Sequence, residues 1–286
     1  MNSPRPQILA VLASVAVAVA GCGGGPEQPD EPPAELLRHA AENPAPSGEA
    51  KVDLSLDLKG SSPLAGATSL DLIGPFELAE GAELPRLELA AEAEVAGFGI
   101  DGALISTGED AFVDFFGEVY RVGPERIAQI ESGLSARGDG LGLDVSGWVA
   151  DPRYGEIEEV AGAETQRIEG TLRAGAAAAE LAALAESLGA PPLIRALAAG
   201  AGEGPAEAWV AFDDETIRRL RIQFPFTVPP DLLGVARGIT GGAAILEVEI
   251  SDVGAEVEIE PPAGGGFKPI EQLIAELRSL ASLGGL

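Results

Sequence analysis

The sequence predicts an α+β domain in which an antiparallel β-sheet curls and helices lie over its open side. Three observations carry this. Apolar and charged residues alternate with period two over many short segments, the pattern of strands with one buried and one wet face. The helical segments are gathered between blocks of strands, so the βαβ alternation of a parallel sheet is absent and the helices are expected on one antiparallel sheet. Finally, ten or so strands in one sheet usually curl.

Taken in order, residues 22–47 are rich in Gly and Pro and read as a tether, with one short helix possible at Pro33–Glu42 through Leu36 and Leu37. From Gly48 the period becomes two. Val52, Leu54, Leu56 and Leu58 alternate with Lys51, Asp53, Ser55 and Asp57. Leu70 and Leu72 continue the pattern, and Leu87, Leu89, Ala91, Ala93 and Val95 alternate with Glu88, Glu92 and Glu94. Further strands are expected at Gly97–Ser106, Asp110–Phe116 and Glu118–Val122, making a six-strand meander. Pro124, suited to a first helical turn, opens a helix with Ile127, Ile130 and Leu134 on one face. A loop at Gly138–Gly142 and a short helix near Asp144–Val149 follow.

Glu164–Arg173 reads as a strand, Gly175–Leu188 as an Ala-rich helix and Pro191–Ala199 as a second helical piece. Ala206–Asp213 and Thr216–Phe226 form a hairpin around Asp213-Asp214-Glu215. Pro229-Pro230 leads through a connection to Ala244, Leu246, Val248 and Ile250, which alternate with Glu247 and Glu249. Val253, Ala255, Val257 and Ile259 alternate with Glu256, Glu258 and Glu260, so a last hairpin across Asp252 is expected. A terminal amphipathic helix from Pro269 carries Ile270, Leu273, Ile274, Leu277 and Leu280.

Composition narrows the function. The chain has 286 residues, 46% hydrophobic, and a formal net charge of −28. Such a surface repels nucleic acid and anionic headgroups. Charges interleaved with apolar residues argue for a folded domain rather than disorder. Nine Phe, two Trp and two Tyr are few, so core volume comes from Leu, Ile, Val and Ala. The inward positions are rich in Ala and Gly, which fill volume poorly and suit a hollow interior, although a small-residue core would look the same.

The single cysteine, Cys22, follows the apolar run Ile8–Ala20 and Gly21. This is the architecture of a secretory signal, and the run is short for a span of ~20 residues. Val19-Ala20-Gly21-Cys22 resembles the lipobox of bacterial lipoproteins. That resemblance implies cleavage before Cys22 and acylation of its thiol and new amino group, and two or more acyl chains anchor stably. The expected organisation is a signal peptide at 1–21, an acylated cysteine and tether at 22–47, a folded domain at 48–263 and a C-terminal helix at 264–286. The expected location is the extracytoplasmic face of the cell membrane.

A search for catalytic groups returns little. His39, the one histidine, lies in the expected tether. Tyr120 and Tyr154 have no base near them in sequence. No carboxylate spacing matches a calcium loop, and Asp213-Asp214-Glu215 reads as a hairpin tip before a weak calcium site. Arg218, Arg219 and Arg221 form the one basic cluster, suited to pairing with neighbouring Glu or to holding an anionic headgroup at a cavity mouth. No nucleophile–base pair is present, so no enzyme, cofactor or metal is expected.

The order of several segments does resemble a known group. Trp148-Val149-Ala150-Asp151-Pro152 leads to Val160-Ala161-Gly162-Ala163-Glu164-Thr165 and Ile168-Glu169-Gly170-Thr171-Leu172. An Ala/Leu helix, Ala208-Trp209-Val210-Ala211-Phe212, Arg218-Arg219-Leu220-Arg221-Ile222, Ile250-Ser251-Asp252-Val253-Gly254 and Ile259-Glu260-Pro261-Pro262 follow. This succession resembles the LppX/LprG-type lipoproteins, relatives of the LolA/LolB lipoprotein carriers, over residues 48–263. The C-terminal helix and the Pro229–Gly241 connection depart from that pattern. The resemblance implies a half-open barrel, its concave side covered by helices, that holds acyl chains of a lipid or glycolipid, carries them across the envelope and meets an envelope transport partner. The positions that would then contact ligand are Leu54, Leu56, Leu89, Ala91, Phe98, Ile100, Val113, Phe115, Ile222 and Phe224. The alternative is a structural or sensory surface lipoprotein with a filled core and no ligand.

Overall fold

The computed structural model describes residues 28–62, 65–78, 84–95, 97–135, 144–187, 200–230 and 238–283. Cys22, the expected signal peptide, the expected loop at Gly138–Gly142 and helical piece at Pro191–Ala199, and most of the Pro229–Gly241 stretch lie outside these residues. Among them, no helix is long and apolar enough to cross a membrane.

The chain opens with helix α1 (Pro33–Glu42), started by Pro33, whose missing N–H costs nothing at a helix start. Six strands follow as a meander: β1 (Ser47–Gly60), β2 (Gly66–Glu77), β3 (Arg86–Val95), β4 (Phe98–Thr107), β5 (Ala111–Phe115) and β6 (Glu118–Arg121). Helices α2 (Pro124–Ser135) and α3 (Val145–Trp148) come next, α3 capped by the Asp144 carboxylate on the Gly147 N–H. Then come β7 (Val149–Val160), β8 (Ala163–Leu172), α4 (Ala174–Ser187), β9 (Pro205–Ala211), β10 (Ile217–Thr227) and β11 (Ile239–Ser251). A two-residue strand β12 (Lys268–Pro269) leads directly into α5 (Ile270–Leu283).

The strands among these residues form one sheet in the order β12-β6-β5-β4-β3-β2-β1-β11-β10-β9-β8-β7. Every pair is antiparallel except β12 with β6. The first and last strands of the sheet order, β12 and β7, do not pair with each other, so the barrel stays open. The sheet nevertheless curls. Helix α2 follows β6 and α4 follows β8, nine strand spacings apart in the sheet order. On a flat sheet that is about 43 Å at ~4.8 Å per strand, yet α2 and α4 pack together.

All the helices lie on one face. Leu36, Leu37 and Ala40 of α1, Trp148 of α3, and Ala174 and Ala177 of α4 pack on Val149, Ile168, Leu172, Ala206, Ala208, Val210, Leu220 and Ile222. At the other end, Ile270 and Leu273 of α5 pack on Tyr120, with Val113, Phe115 and Ile274 beside them. Ile127 of α2 joins Leu84 and Val122. The α+β class and the curled, half-open sheet match the sequence expectation.

Three elements differ from it. The short helix anticipated at Pro33–Glu42 is present, but it packs in the main core, with Leu37 1% exposed, where a flexible tether was expected. Strand β7 has no clean alternation, because its pairing with β8 shifts register between Ala150 and Arg153 and again between Tyr154 and Ile157. Residues 253–260 alternate but form no strand. Their expected partner, β11, already has β10 on one side and β1 on the other, so no edge is free. This segment instead crosses the sheet end, where the Ser47 hydroxyl donates to the Ala255 carbonyl at 2.8 Å and Ile259 is buried.

Candidate functional site

The pairing register carries apolar positions across the sheet in continuous rows. One row runs Ile222, Leu246, Leu54, Leu70, Ala93, Ile100 from β10 to β4. A second runs Leu220, Val248, Val52, Leu72, Ala91, Gly102, Phe115. A third joins Phe224, Ala244, Leu56, Thr68, Val95 and Phe98, and a fourth Leu89, Leu104, Val113 and Tyr120. All ten expected contact positions therefore lie on these rows, on the face that carries the helices.

Burial divides this face into three. On the β7–β10 flank it is sealed: Ile222, 1% exposed, sits in the core under the helices. On the β5–β6 flank α5 covers Tyr120. Between them Val52, Leu54, Leu56, Leu70, Leu72, Leu89, Ala91, Ala93, Ile100 and Leu246 are only half-buried, and Leu104 is 38% exposed. Phe224, Val113 and Phe115 are half-buried at the borders of this stripe. Phe98, beside Gly97 at the β3–β4 tip, is 75% exposed. Leu104 completes the stripe and was not singled out from sequence. Its signal was there, two residues past Gly102 in the run Phe98, Ile100, Gly102.

The stripe has a dip in its middle. Ala91 pairs with Gly102, so two small residues stand between Leu72 and Phe115. Gly102 cannot carry a side chain, because a Cβ there would lie 2.5 Å from the Asp114 carbonyl oxygen. The depression is thus fixed by the close approach of β4 and β5.

The opposite face is mainly polar, its charges paired with one another, although Ile73 on it is 45% exposed. Arg219 pairs with Glu249 and, at 3.6 Å, with Glu247, while its guanidinium lies 5.4 Å from the Trp209 ring. Arg221 reaches Glu247 at 3.7 Å. Both arginines therefore point away from the apolar face and pair with glutamates, so they do not guard its mouth. Arg218 is buried against Asp214 at 2.6 Å. Asp214 also accepts from the Thr216 N–H and hydroxyl, so this acid locks the hairpin tip instead of standing free for calcium. No group of three His, Cys, Asp or Glu among the described residues could hold a metal ion. Asp53 and Asp71 stand directly opposite on β1 and β2. A hydrogen bond from Asp71 holds the Asp53 carboxyl below the usual range, and the same bond pushes Asp71 up.

At the α5 border the polar contacts form a small cluster. Lys268 Nζ lies 2.6 Å from Glu118, and the Tyr120 hydroxyl donates to Glu118 at 2.9 Å, with Glu276 at 3.4 Å. Burial first, then Glu118, pushes Tyr120 up to about 12. The bond from Lys268 lowers Glu118, and the same bond raises Lys268.

No family model matches the chain, and no curated protein matches its sequence. Among solved structures, the chain is similar to LprF from Mycobacterium bovis, with 17% identity over 81% of this chain and 97% of that one, at a TM-score of 0.42. It is similar to the lipoprotein LppX of Mycobacterium tuberculosis, with 14% identity over 79% and 96%, at 0.38. A LolA superfamily protein from Nitrosomonas europaea aligns with 10% identity over 77% and 94%, at 0.23.

Proposed function

We propose that this protein is a lipoprotein, anchored through acyl chains on Cys22, whose open apolar stripe binds the acyl chains of a lipid or glycolipid and carries them across the cell envelope. The observation that supports this most is the half-exposed stripe from β11 to β4, set between two flanks that helices do cover. Leaving so many leucines partly wet is costly, and each methylene of a ligand laid over them and withdrawn from water contributes ~0.8 kcal/mol. Contiguous exposed apolar surface of this kind marks binding sites. The polar face, with its arginines paired, offers no comparable surface.

The structural alternative draws on the solid packing of α1, α3 and α4 over β7–β10. A titration separates the two. Full-length protein carrying Cys22→Ser, which cannot be acylated, is mixed with dansyl-undecanoic acid. Saturable, blue-shifted fluorescence displaced by palmitate is expected. No binding would favour the filled-core protein.

A further inference from the structure

The face that carries the stripe does not end at β4. Leu104 pairs with Val113, and Val113 with Tyr120, so the same apolar row continues onto β5 and β6. There it meets α5 instead of solvent. Ile270 and Leu273 are buried against Tyr120, with Ile274, Val113 and Phe115 packed around them. The boundary is sharp: Leu104, one strand inward, is 38% exposed. Helix α5 thus sets where the open stripe stops.

Its seat is narrow. The helix is joined to the sheet by two residues of β12, and its first turn to α2 by Glu271 and Arg126 at 3.9 Å. The segment before it, residues 263–266, is exposed and contains Gly264 and Gly266 at φ +112° and +81°, conformations that a residue with a Cβ rarely adopts. Beyond Ile274 the apolar edge of α5 continues to Leu277, yet Leu277 is 42% exposed. A polar latch holds the near end, through Lys268 to Glu118 and Tyr120 to Glu118 and Glu276.

Granted that the stripe binds acyl chains, on which this rests, we propose that α5 is an internal stopper: its Ile270–Leu273–Ile274 edge occupies the β5–β6 end of the ligand surface and withdraws when a long acyl chain fills it. The ligand class follows from the contact being replaced, an aliphatic edge lying on Val113 and Phe115. A long saturated chain competes for that surface, and a short one stops at Leu104. Binding and α5 docking are then coupled with opposite sign, and the coupling is reciprocal.

The test uses full-length protein carrying Cys22→Ser, alone and with Leu273→Gln or Lys268→Gln. The first variant weakens the apolar seat, and the second removes only the charge of the latch, so it stands even if the first fails to fold. Palmitate affinity is measured for each by displacement of dansyl-undecanoic acid, and amide hydrogen exchange of residues 270–279 is followed with and without palmitate. The expected result is binding about 5-fold tighter or more in both folded variants, the low end of typical coupling between sites, and faster exchange in α5 when palmitate is bound to the unsubstituted helix. Unchanged or weaker binding in the variants, or α5 exchange that palmitate leaves unchanged or slows, would overturn the stopper while leaving acyl binding in place. Absence of binding in all three proteins would overturn acyl binding itself, and the stopper with it.

Discussion

Replacing Ala91 by Trp puts a large side chain into the dip between Leu72 and Phe115. The outcome depends on whether the dip is ligand volume or core. Ala91 is half-buried, and its partner Gly102 has no side chain to displace. An indole there lies over Gly102 and along the open stripe. The sheet is expected to keep its stability within about 1 kcal/mol, because no rotamer or backbone has to move. In a filled core the same change would overpack, at roughly 1–3 kcal/mol. For a domain of this size that cost lowers Tm by about 2–12 °C, at 2–4 °C per kcal/mol. Two measurements decide. Thermal melting by circular dichroism reads the stability, and dansyl-undecanoic acid titration reads the site. Retained Tm with at least tenfold weaker binding is expected. A Tm several degrees lower, with ligand binding unaffected, would refute the argument that this dip belongs to the ligand surface.

Other substitutions probe the remaining parts. Cys22→Ser should move the protein out of the membrane fraction on fractionation, and retention there with normal processing would contradict lipid anchoring. Ile222→Ala removes a fully buried side chain and should cost about 2–5 kcal/mol in urea unfolding, clearly more than Leu54→Ala, whose site is half open. Asp71→Asn removes one of two facing carboxyls and should stabilise the sheet by roughly 0.2–1 kcal/mol at pH 7. That gain should shrink as the pH falls and the raised Asp71 carboxyl is protonated in the parent protein. The α5 latch has a pH window. Glu118 is lowered, so its contribution is present above its usual 4.5 and is lost as pH falls through its lower folded value. Lys268 and Tyr120 are raised, so theirs is present below their usual 10.5 and 10.0 and is lost as pH rises beyond. Proteolysis at residues 263–267 should therefore be slowest in between.

Most of the strands could be read from the chain because they are wet on one face. Period two is plain in β1, β3, β10 and β11, where Asp, Glu or Arg alternate with Leu, Val, Ile or Ala. Strand β7 was hidden by its two register shifts, where extra residues break the period. The false strand at 253–260 shows the reverse. Its alternation is real, but pairing is decided by which edges are free, and β1, almost two hundred residues earlier, holds the edge of β11. That is a property of the sheet order as a whole, absent from any local window. The candidate site was legible as a face, since alternation fixes which side chains share one. Its division into sealed flanks and an open middle was not, because it depends on where α1, α4 and α5 land. Thus Ile222 and Leu54, on either side of Leu246 in one row and equivalent in pattern, differ in burial. Tyr120 was seen from sequence only as a tyrosine without a base; the seat of α5 on it required the β12–β6 contact.

The most direct test of acyl binding is the lipid content of the protein itself. Full-length protein carrying Cys22→Ser is expressed with residues 1–21 in place and purified from the extracytoplasmic fraction without detergent. It is then extracted with chloroform–methanol, and the extract is analysed by mass spectrometry beside the Ala91→Trp variant. The expected result is one class of long-chain lipid near stoichiometric amount in the parent and little in the variant. Protein that is folded yet free of extractable lipid, or equal lipid in both, would contradict the assignment of the β11–β4 stripe as the binding surface.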